Sequence, residues 1–181
     1  MSAGRLIAVV GPSGAGKDTL LAAALAARPD LVRARRVITR PQEAGGEAFE
    51  GVSAAEFEAR LRRGAFALHW RAHGLRYGVP ARIDTDLAAG HTVLFNGSRA
   101  ALPAARARYP ALEVVMITAP ARLLAERLAA RGREDAGTIA ARLARGTLAV
   151  PSGARIVVND ASAETGAARL LCAINPEAEG A

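Results

Sequence analysis

The stretch GPSGAGKDT, residues 11–19, has the residue types and spacing of a loop that binds polyphosphate. Gly11 and Gly16 enclose four residues, and Lys17 follows directly. Glycines let the backbone curl so that successive N–H groups point inward, and the lysine adds a positive charge beside them. We therefore expect phosphoryl-transfer chemistry in which Lys17 contacts the β- and γ-phosphates of a nucleotide. The expected nucleotide contacts in this loop are Gly11, Pro12, Ser13, Gly14, Ala15, Gly16, Lys17, Asp18 and Thr19.

Asp18 stands where such loops usually carry a serine or threonine whose hydroxyl contacts Mg²⁺. Two interpretations are open. A carboxylate in the first helical turn is favoured by the helix dipole, which would make Asp18 only a cap. Mg²⁺ also prefers carboxylate oxygens, and Asn96 ends the segment TVLFN where many phosphoryl-transfer enzymes carry an aspartate. We therefore predict ATP and Mg²⁺ as cofactors, with Asp18 binding the metal directly or through a water.

The basic residues are almost all arginine. Lys17 is the only lysine among 24 basic residues, and the formal net charge is +7. Such a charge fits a nucleic-acid binder, but the arginines are scattered and no set of aromatic residues accompanies them. A compositional bias towards alanine, arginine and glycine explains the count better, with some arginines facing a phosphorylated small substrate. A lysine kept only in the loop indicates a need for a compact charge at that point.

The elements that would position the loop alternate between strand and helix. Short apolar runs predict strands at 5–11, within 31–40, and at 91–97, 112–119 and 155–160. Helical patterns and caps predict helices at 17–28, 53–63, 80–89, 98–108, 120–131, 138–145 and 163–173. Segments 66–72 and the stretch around Tyr77 are expected to be extended. The alternation predicts an α/β fold with a five-stranded parallel core sheet covered by helices on both faces. A glycine turn that only caps a helix is the alternative for the loop, but the preceding strand and the following helix favour phosphate binding.

At 181 residues the chain is expected to form a single domain. We assign residues 1–40, 90–130 and 147–175 to the core, about 41–89 to an acceptor-binding region, and about 131–146 to a lid. No apolar run is long enough to cross a bilayer, and the start does not have the pattern of a signal peptide. The single cysteine, Cys172, excludes an internal disulfide framework. We therefore expect a cytoplasmic protein and leave its oligomeric state open.

Several motifs occur in an order that resembles the guanylate kinase superfamily, over nearly the whole chain. They are GPSGAGKDTLL, ITRP, VSAAEF, YG and VVND. The versions GKDTL, FALHWRAHGLRYGVP, VLFNGSRAALPAARARYP and RGRE resemble one branch more closely, the PhnN family of ribose 1,5-bisphosphokinases. The resemblance implies a P-loop NTPase of the guanylate kinase-like fold. It also implies ATP-dependent phosphorylation of ribose 1,5-bisphosphate to 5-phosphoribosyl 1-diphosphate (PRPP) in phosphonate catabolism.

The acceptor residues of guanylate kinases are only partly retained. Arg40 and Tyr77 match acceptor-phosphate contacts, whereas His69 replaces the carboxylate that accepts the N1–H and N2–H of guanine. An imidazole cannot accept both of these hydrogen bonds. Asn96 replaces an acceptor-binding aspartate, and Phe49 replaces a phosphate-binding tyrosine. A second phosphate-binding arginine is lost within the segment QEAG. The pattern indicates an acceptor without a guanine base, such as a sugar phosphate.

The resemblance also assigns contacts in the lid and near the nucleotide. Arg131 and Arg142 match phosphate-contacting arginines and are expected to be catalytic with Lys17 and Asp18. Arg127 and Asn159 are expected at the nucleotide, the latter on the adenine side. The expected substrate contacts are Arg40, His69, Tyr77, Asn96, Ser98 and Arg133. Alternatives remain open: exposed surface arginines, a turn role for Asn159, a helix cap for Ser98, and packing or exposure for His69.

Two rival functions follow from the same residues. A nucleoside monophosphate kinase with relaxed base choice is the nearer one. An inactive guanylate kinase-like interaction module is disfavoured because the phosphate loop is intact. We expect ATP and a sugar bisphosphate as small-molecule partners, and neither nucleic acid nor membrane.

Overall fold

The computed structural model describes residues 4–41, 48–130 and 149–175. The strands are β1 (Arg5–Val10), β2 (Val32–Arg33), β3 (Val37–Ile38), β4 (Glu50–Gly51), β5 (Phe66–Ala72), β6 (Leu75–Pro80), β7 (Thr92–Asn96), β8 (Glu113–Thr118) and β9 (Arg155–Val158). The helices are α1 (Lys17–Ala27), α2 (Ala54–Arg62), α3 (Ile83–Ala88), α4 (Leu102–Arg108), α5 (Ala121–Ala130) and α6 (Ala163–Ile174), and a 3₁₀ turn covers Arg99–Ala101.

Five strands form a sheet in the order β2–β7–β1–β8–β9. The sheet is parallel, with Val32 opposite Val93 on one pair of strands and Val115 opposite Arg155 on another. The central strands are buried along most of their length, which explains their continuous apolar sequences. The predicted α/β fold with a five-stranded parallel sheet is confirmed.

A second sheet of four strands has the order β4–β3–β6–β5. β5 and β6 form an antiparallel hairpin whose two-residue turn is His73 and Gly74, with φ values of 51° and 73°. Positive φ at both turn positions matches the right-handed twist of the paired strands. The extended conformation predicted for 66–72 and around Tyr77 is therefore present, as the two strands of one hairpin.

The single strand predicted within 31–40 is wrong in one respect, because this segment contributes two short strands to different sheets. The backbone partner changes over three residues. The N–H of Ala34 donates to the carbonyl of Leu94, whereas the carbonyl of Arg36 accepts from the N–H of Glu50. Arg35 and Arg36 interrupt the apolar residues here, but arginines also stand at 33 and 40, so their positions do not mark where the backbone partner changes.

Helix α2 begins with the predicted cap. The hydroxyl of Ser53 accepts a hydrogen bond from the N–H of Glu56 at 3.1 Å. Phe57 of α2 stacks on Phe66 of β5 with ring centroids 4.6 Å apart. These contacts attach α2 to the four-stranded sheet.

Chain contacts divide the protein into two compact units, residues 1–8 with 28–113 and residues 9–27 with 114–181. The four-stranded sheet belongs to the first unit and the phosphate loop to the second. The lid predicted at 131–146, with its helix at 138–145, lies outside the described residues, so the domain boundaries stay a prediction. Within the described ranges, no helix has both the length and the apolar character needed to cross a bilayer.

Candidate active site

The loop between β1 and α1 is strongly curled. Gly11 has φ 148° and Gly16 has φ 85°, a region that residues with a side chain rarely adopt. A Cβ on Gly11 would lie 2.0 Å from the carbonyl oxygen of Ile117, and one on Gly16 would lie 2.4 Å from Nδ2 of Asn159. Both the backbone conformation and the surrounding space therefore require glycine at these two positions.

Lys17 folds back over the loop that precedes it. Its Nζ donates to the carbonyl oxygens of Gly11 and Pro12, each at 2.9 Å. α1 starts at Lys17, so the positive end of the helix dipole lies at the same place. The ammonium and the helix end together place positive charge at this loop, which is the arrangement that favours a bound anion.

Asp18 occupies the first turn of α1 and is partly exposed, and Thr19 beside it is exposed. Among the residues that the structure describes, no group of three or more His, Cys, Asp or Glu side chains could enclose a metal ion. Mg²⁺ in kinases does not need such a group, since it is usually held by one or two carboxylates, substrate phosphates and water. Asp18 therefore fits Mg²⁺ held jointly with a nucleotide, and the ion would neutralise phosphate charge there.

We predict that Asp18→Asn raises the Mg²⁺ concentration for half-maximal activity by about tenfold, since an amide has the size of the carboxylate but not its charge. Initial rates measured across a Mg²⁺ series at saturating ATP would show the shift. Asp30→Asn serves as the matched control, because it makes the same change of charge at an exposed carboxylate that pairs with Arg28. An Asp18→Asn protein with the Mg²⁺ profile of the parent would leave only the helix-capping role.

Arg127 and Asn159 lie beside the loop, and sequence reasoning had assigned both to the nucleotide. Arg127 of α5 donates to the carbonyl of Gly14 at 3.5 Å and to that of Asn159 at 3.2 Å. The Asn159 amide donates to the carbonyl of Ala15 at 2.8 Å. The structure thus brings both side chains to the backbone of the phosphate loop.

Arg40 lines the predicted acceptor region within the first unit. Its guanidinium lies 4.2 Å from the ring centroid of Phe49, the residue that replaces a family tyrosine. A face of an aromatic ring stabilises a nearby cation, so Phe49 supports Arg40 without a hydroxyl. Arg40 borders a pocket of about 500 Å³. The pocket is lined by Thr39, Arg40, Pro41, Gly51, Val52, Ser53, Ala54 and Gly74.

Tyr77 forms a cluster with Trp70 and Arg36, and the sequence analysis did not identify Arg36 as a member. Its ring stacks on Trp70 with centroids 5.4 Å apart and planes 4° apart. The guanidinium of Arg36 lies 5.1 Å from the Tyr77 centroid and 5.7 Å from that of Trp70. Arg36 is only 8% exposed, which is unusual for arginine. The sequence gives no signal for this burial, since Arg36 stands among other arginines in RARR.

His69 is separated from Tyr77 by the pleat of the hairpin. Trp70 pairs with Tyr77 and His69 with Gly78, and successive side chains of a strand point to opposite faces. His69 is exposed, whereas Trp70 is buried. The predicted contacts His69 and Tyr77 therefore lie on different faces of the four-stranded sheet.

Asn96 and Ser98 lie at the carboxyl end of β7, where ligands bind in open α/β folds. Asn96 is 4% exposed, so its side-chain amide is buried in the protein interior. Ser98 precedes the 3₁₀ turn and its hydroxyl makes no capping bond to that turn. Arg131, Arg133 and Arg142 lie outside the described residues and stay predicted contacts.

Comparison with solved structures defines the fold. A guanylate kinase from Anaplasma phagocytophilum matches with a TM-score of 0.69 and 20% identity, over 98% of this chain and 87% of that one. A gluconokinase from Sinorhizobium meliloti matches with a TM-score of 0.54 and 17% identity, over 99% and 96%. The chain has the α/β P-loop fold of the guanylate kinase-like type.

No family model matches the sequence. A ribose 1,5-bisphosphate phosphokinase PhnN from Pseudomonas fluorescens is 49% identical over 96% of this chain and 96% of its own. One from Desulfomicrobium baculatum is 51% identical over 87% and 86%. The chain belongs to this PhnN family. A bifunctional ribose 1,5-bisphosphokinase-thymidine phosphorylase from Azorhizobium caulinodans is 49% identical, but the chain spans only 26% of that protein.

Proposed function

We propose that this chain transfers the γ-phosphoryl group of ATP to the 1-phosphate of ribose 1,5-bisphosphate, which forms PRPP and ADP. The observation that carries the proposal is family membership along the length of the chain, since relatives of the same size bear the name ribose 1,5-bisphosphate phosphokinase. The phosphate loop with Lys17 supplies the donor site that this reaction needs.

The reaction forms one P–O bond and breaks another. An oxygen of the 1-phosphate attacks the γ-phosphorus, and the bond between that phosphorus and the β–γ bridging oxygen breaks, so that ADP leaves. The attacking oxygen is already anionic, so no general base is needed. The work left to the protein is to position both phosphates and to offset negative charge on the oxygens. Lys17 supplies positive charge on the donor side, and Arg40 is our candidate on the acceptor side.

Features of the first unit support a sugar phosphate over a guanine nucleotide. Position 69 carries an imidazole, and that residue lies on the face of the hairpin opposite Tyr77. Arg40 adjoins a pocket. A cation near the acceptor binds a phosphate group of either kind of substrate, but the guanine edge, with its N1–H and N2–H, also needs a paired acceptor of hydrogen bonds, which an imidazole does not supply.

The test is a panel of acceptors assayed with ATP and Mg²⁺: ribose 1,5-bisphosphate, ribose 5-phosphate, GMP, AMP and no acceptor. We expect ADP release to depend on ribose 1,5-bisphosphate, and PRPP to be detected by a coupled phosphoribosyltransferase. Fast turnover of GMP without PRPP would replace the proposal with a nucleoside monophosphate kinase. No transfer to any acceptor, with ATP still bound, would favour an inactive module.

A pair of arginine variants tests the acceptor side within the same panel. Arg40→Ala is expected to raise the KM for ribose 1,5-bisphosphate at least tenfold and to leave the KM for ATP unchanged, because a charge-assisted hydrogen bond contributes about 1.5–3 kcal/mol. Arg63→Ala is the control, since this side chain is 61% exposed and lies at the end of α2. Equal KM values for the two variants would remove Arg40 from the acceptor site.

A further inference from the structure

Asn159, the residue directly after β9, is held at three points. Its N–H donates to the carbonyl of Thr118 at 2.8 Å. Its own carbonyl accepts from Arg127, and its side-chain Nδ2 donates to the carbonyl of Ala15 at 2.8 Å. The residue is 5% exposed. Asn159 therefore has a fixed position, and its side-chain amide can hold the carbonyl of Ala15 in place.

Two glycines make room for the Asn159 amide. A Cβ on Gly16 would lie 2.4 Å from Nδ2, and a Cβ on Gly166 of α6 would lie 3.1 Å from Oδ1. Both polar atoms of the amide therefore face protein at close range. One N–H of Nδ2 is used by the carbonyl of Ala15, so the orientation of the amide is set by the loop before any ligand binds.

The bond to Ala15 also fixes the direction of a backbone donor. The carbonyl of Ala15 and the N–H of Gly16 belong to one peptide unit, which is planar and trans, so they point in opposite directions. Because the Ala15 carbonyl is held towards Asn159, the N–H of Gly16 is directed away from it. Inward-pointing N–H groups are what make such a loop bind phosphate.

We propose that Asn159 is a positioning residue for the phosphate loop, which orients the Ala15–Gly16 peptide so that the N–H of Gly16 is available to bound phosphate. In this role Asn159 acts on any polyphosphate and does not select adenine. This differs from the adenine contact that the family resemblance implies. Arg127 supports the same arrangement through the carbonyls of Gly14 and Asn159.

The test compares the parent chain with Asn159→Ala in calorimetric titrations with ATP, GTP and inorganic tripolyphosphate, each with Mg²⁺. We expect all three dissociation constants to rise by a similar factor, about tenfold, with the preference between ATP and GTP unchanged. A rise for ATP alone would assign the side chain to adenine. A lower melting temperature with an unchanged tripolyphosphate constant would leave Asn159 with a purely structural role. No acceptor is present, so the result is independent of the proposed reaction.

Further variants keep the test decisive. Asp160→Asn is the control, because it changes the next residue, whose exposed carboxylate pairs with Arg169, and should leave the three constants within twofold. Asn159→Ser replaces the alanine variant if that protein does not fold, since serine stays polar but is too short to reach Ala15. Parent-like tripolyphosphate binding by Asn159→Ser would overturn the proposal.

Discussion

Replacing Lys17 with methionine is expected to reduce kcat by about 10²–10³-fold, the usual cost of removing one group that stabilises charge in a transition state. Lys17 is the only lysine of the sequence, and its Nζ is fixed at 2.9 Å from two carbonyls of the phosphate loop. Methionine keeps the length of the side chain and removes its charge. Transfer loses that charge where negative oxygens develop, whereas the loop backbone still binds nucleotide.

The same substitution can be separated from misfolding. The melting temperature of the methionine variant should stay near that of the parent, and its loss of ATP affinity should be much smaller than its loss of kcat. Lys17→Arg is the second variant, and we expect it to restore little activity because a planar guanidinium cannot replace a compact ammonium between two carbonyls. A methionine variant with parental kcat would show that Lys17 does not stabilise the transition state. Its role would then be limited to holding the loop through the carbonyls of Gly11 and Pro12.

The sequence predicted the phosphate loop and the core sheet well for a physical reason. The loop depends on residues that are close together in the chain, and its glycines are needed for their backbone conformation. The core strands are buried on both faces, so each is a short apolar run bounded by turns. The hydrogen-bonded cap of Ser53 on α2 is equally local, and it too is present.

The acceptor region was harder to predict because its arrangement depends on pairing between distant segments. Nothing in the sequence near residue 36 shows that the chain leaves the partner Leu94 and joins Glu50. The hairpin register decides that Tyr77 lies with Trp70 and not with His69. A shift of one residue would exchange these faces, and composition does not specify it.

The support of the phosphate loop was missed for a related reason. Asn159 and Ala15 are 144 residues apart in the chain, and the resemblance assigned the asparagine to a base. Only the structure shows that its amide fills the space left by Gly16. Gly16 is therefore required for two reasons: its backbone has a positive φ, and the side chain of Asn159 occupies the space where a Cβ would lie.

Gly11→Ala is expected to have the largest effect on stability. The new Cβ would lie 2.0 Å from the carbonyl oxygen of Ile117 in β8, and φ at this residue is 148°. The clash is with backbone of a buried strand, so it can be relieved only by moving β8 or the loop. We expect a loss of about 3–5 kcal/mol from overpacking and backbone strain together, or roughly 10 °C in melting temperature.

Gly153→Ala separates the clash from the backbone strain. Gly153 has φ 69°, but a Cβ there would meet no atom within 4 Å. It should therefore lose only the strain of about 1–2 kcal/mol that a positive φ imposes on alanine. Thermal unfolding of both variants, with and without ATP and Mg²⁺, measures the difference. ATP should stabilise Gly153→Ala as it does the parent, and should stabilise Gly11→Ala much less, because a displaced loop no longer presents its N–H groups to phosphate. Equal melting temperatures for the two variants would mean that the loop can move away from β8 at little cost.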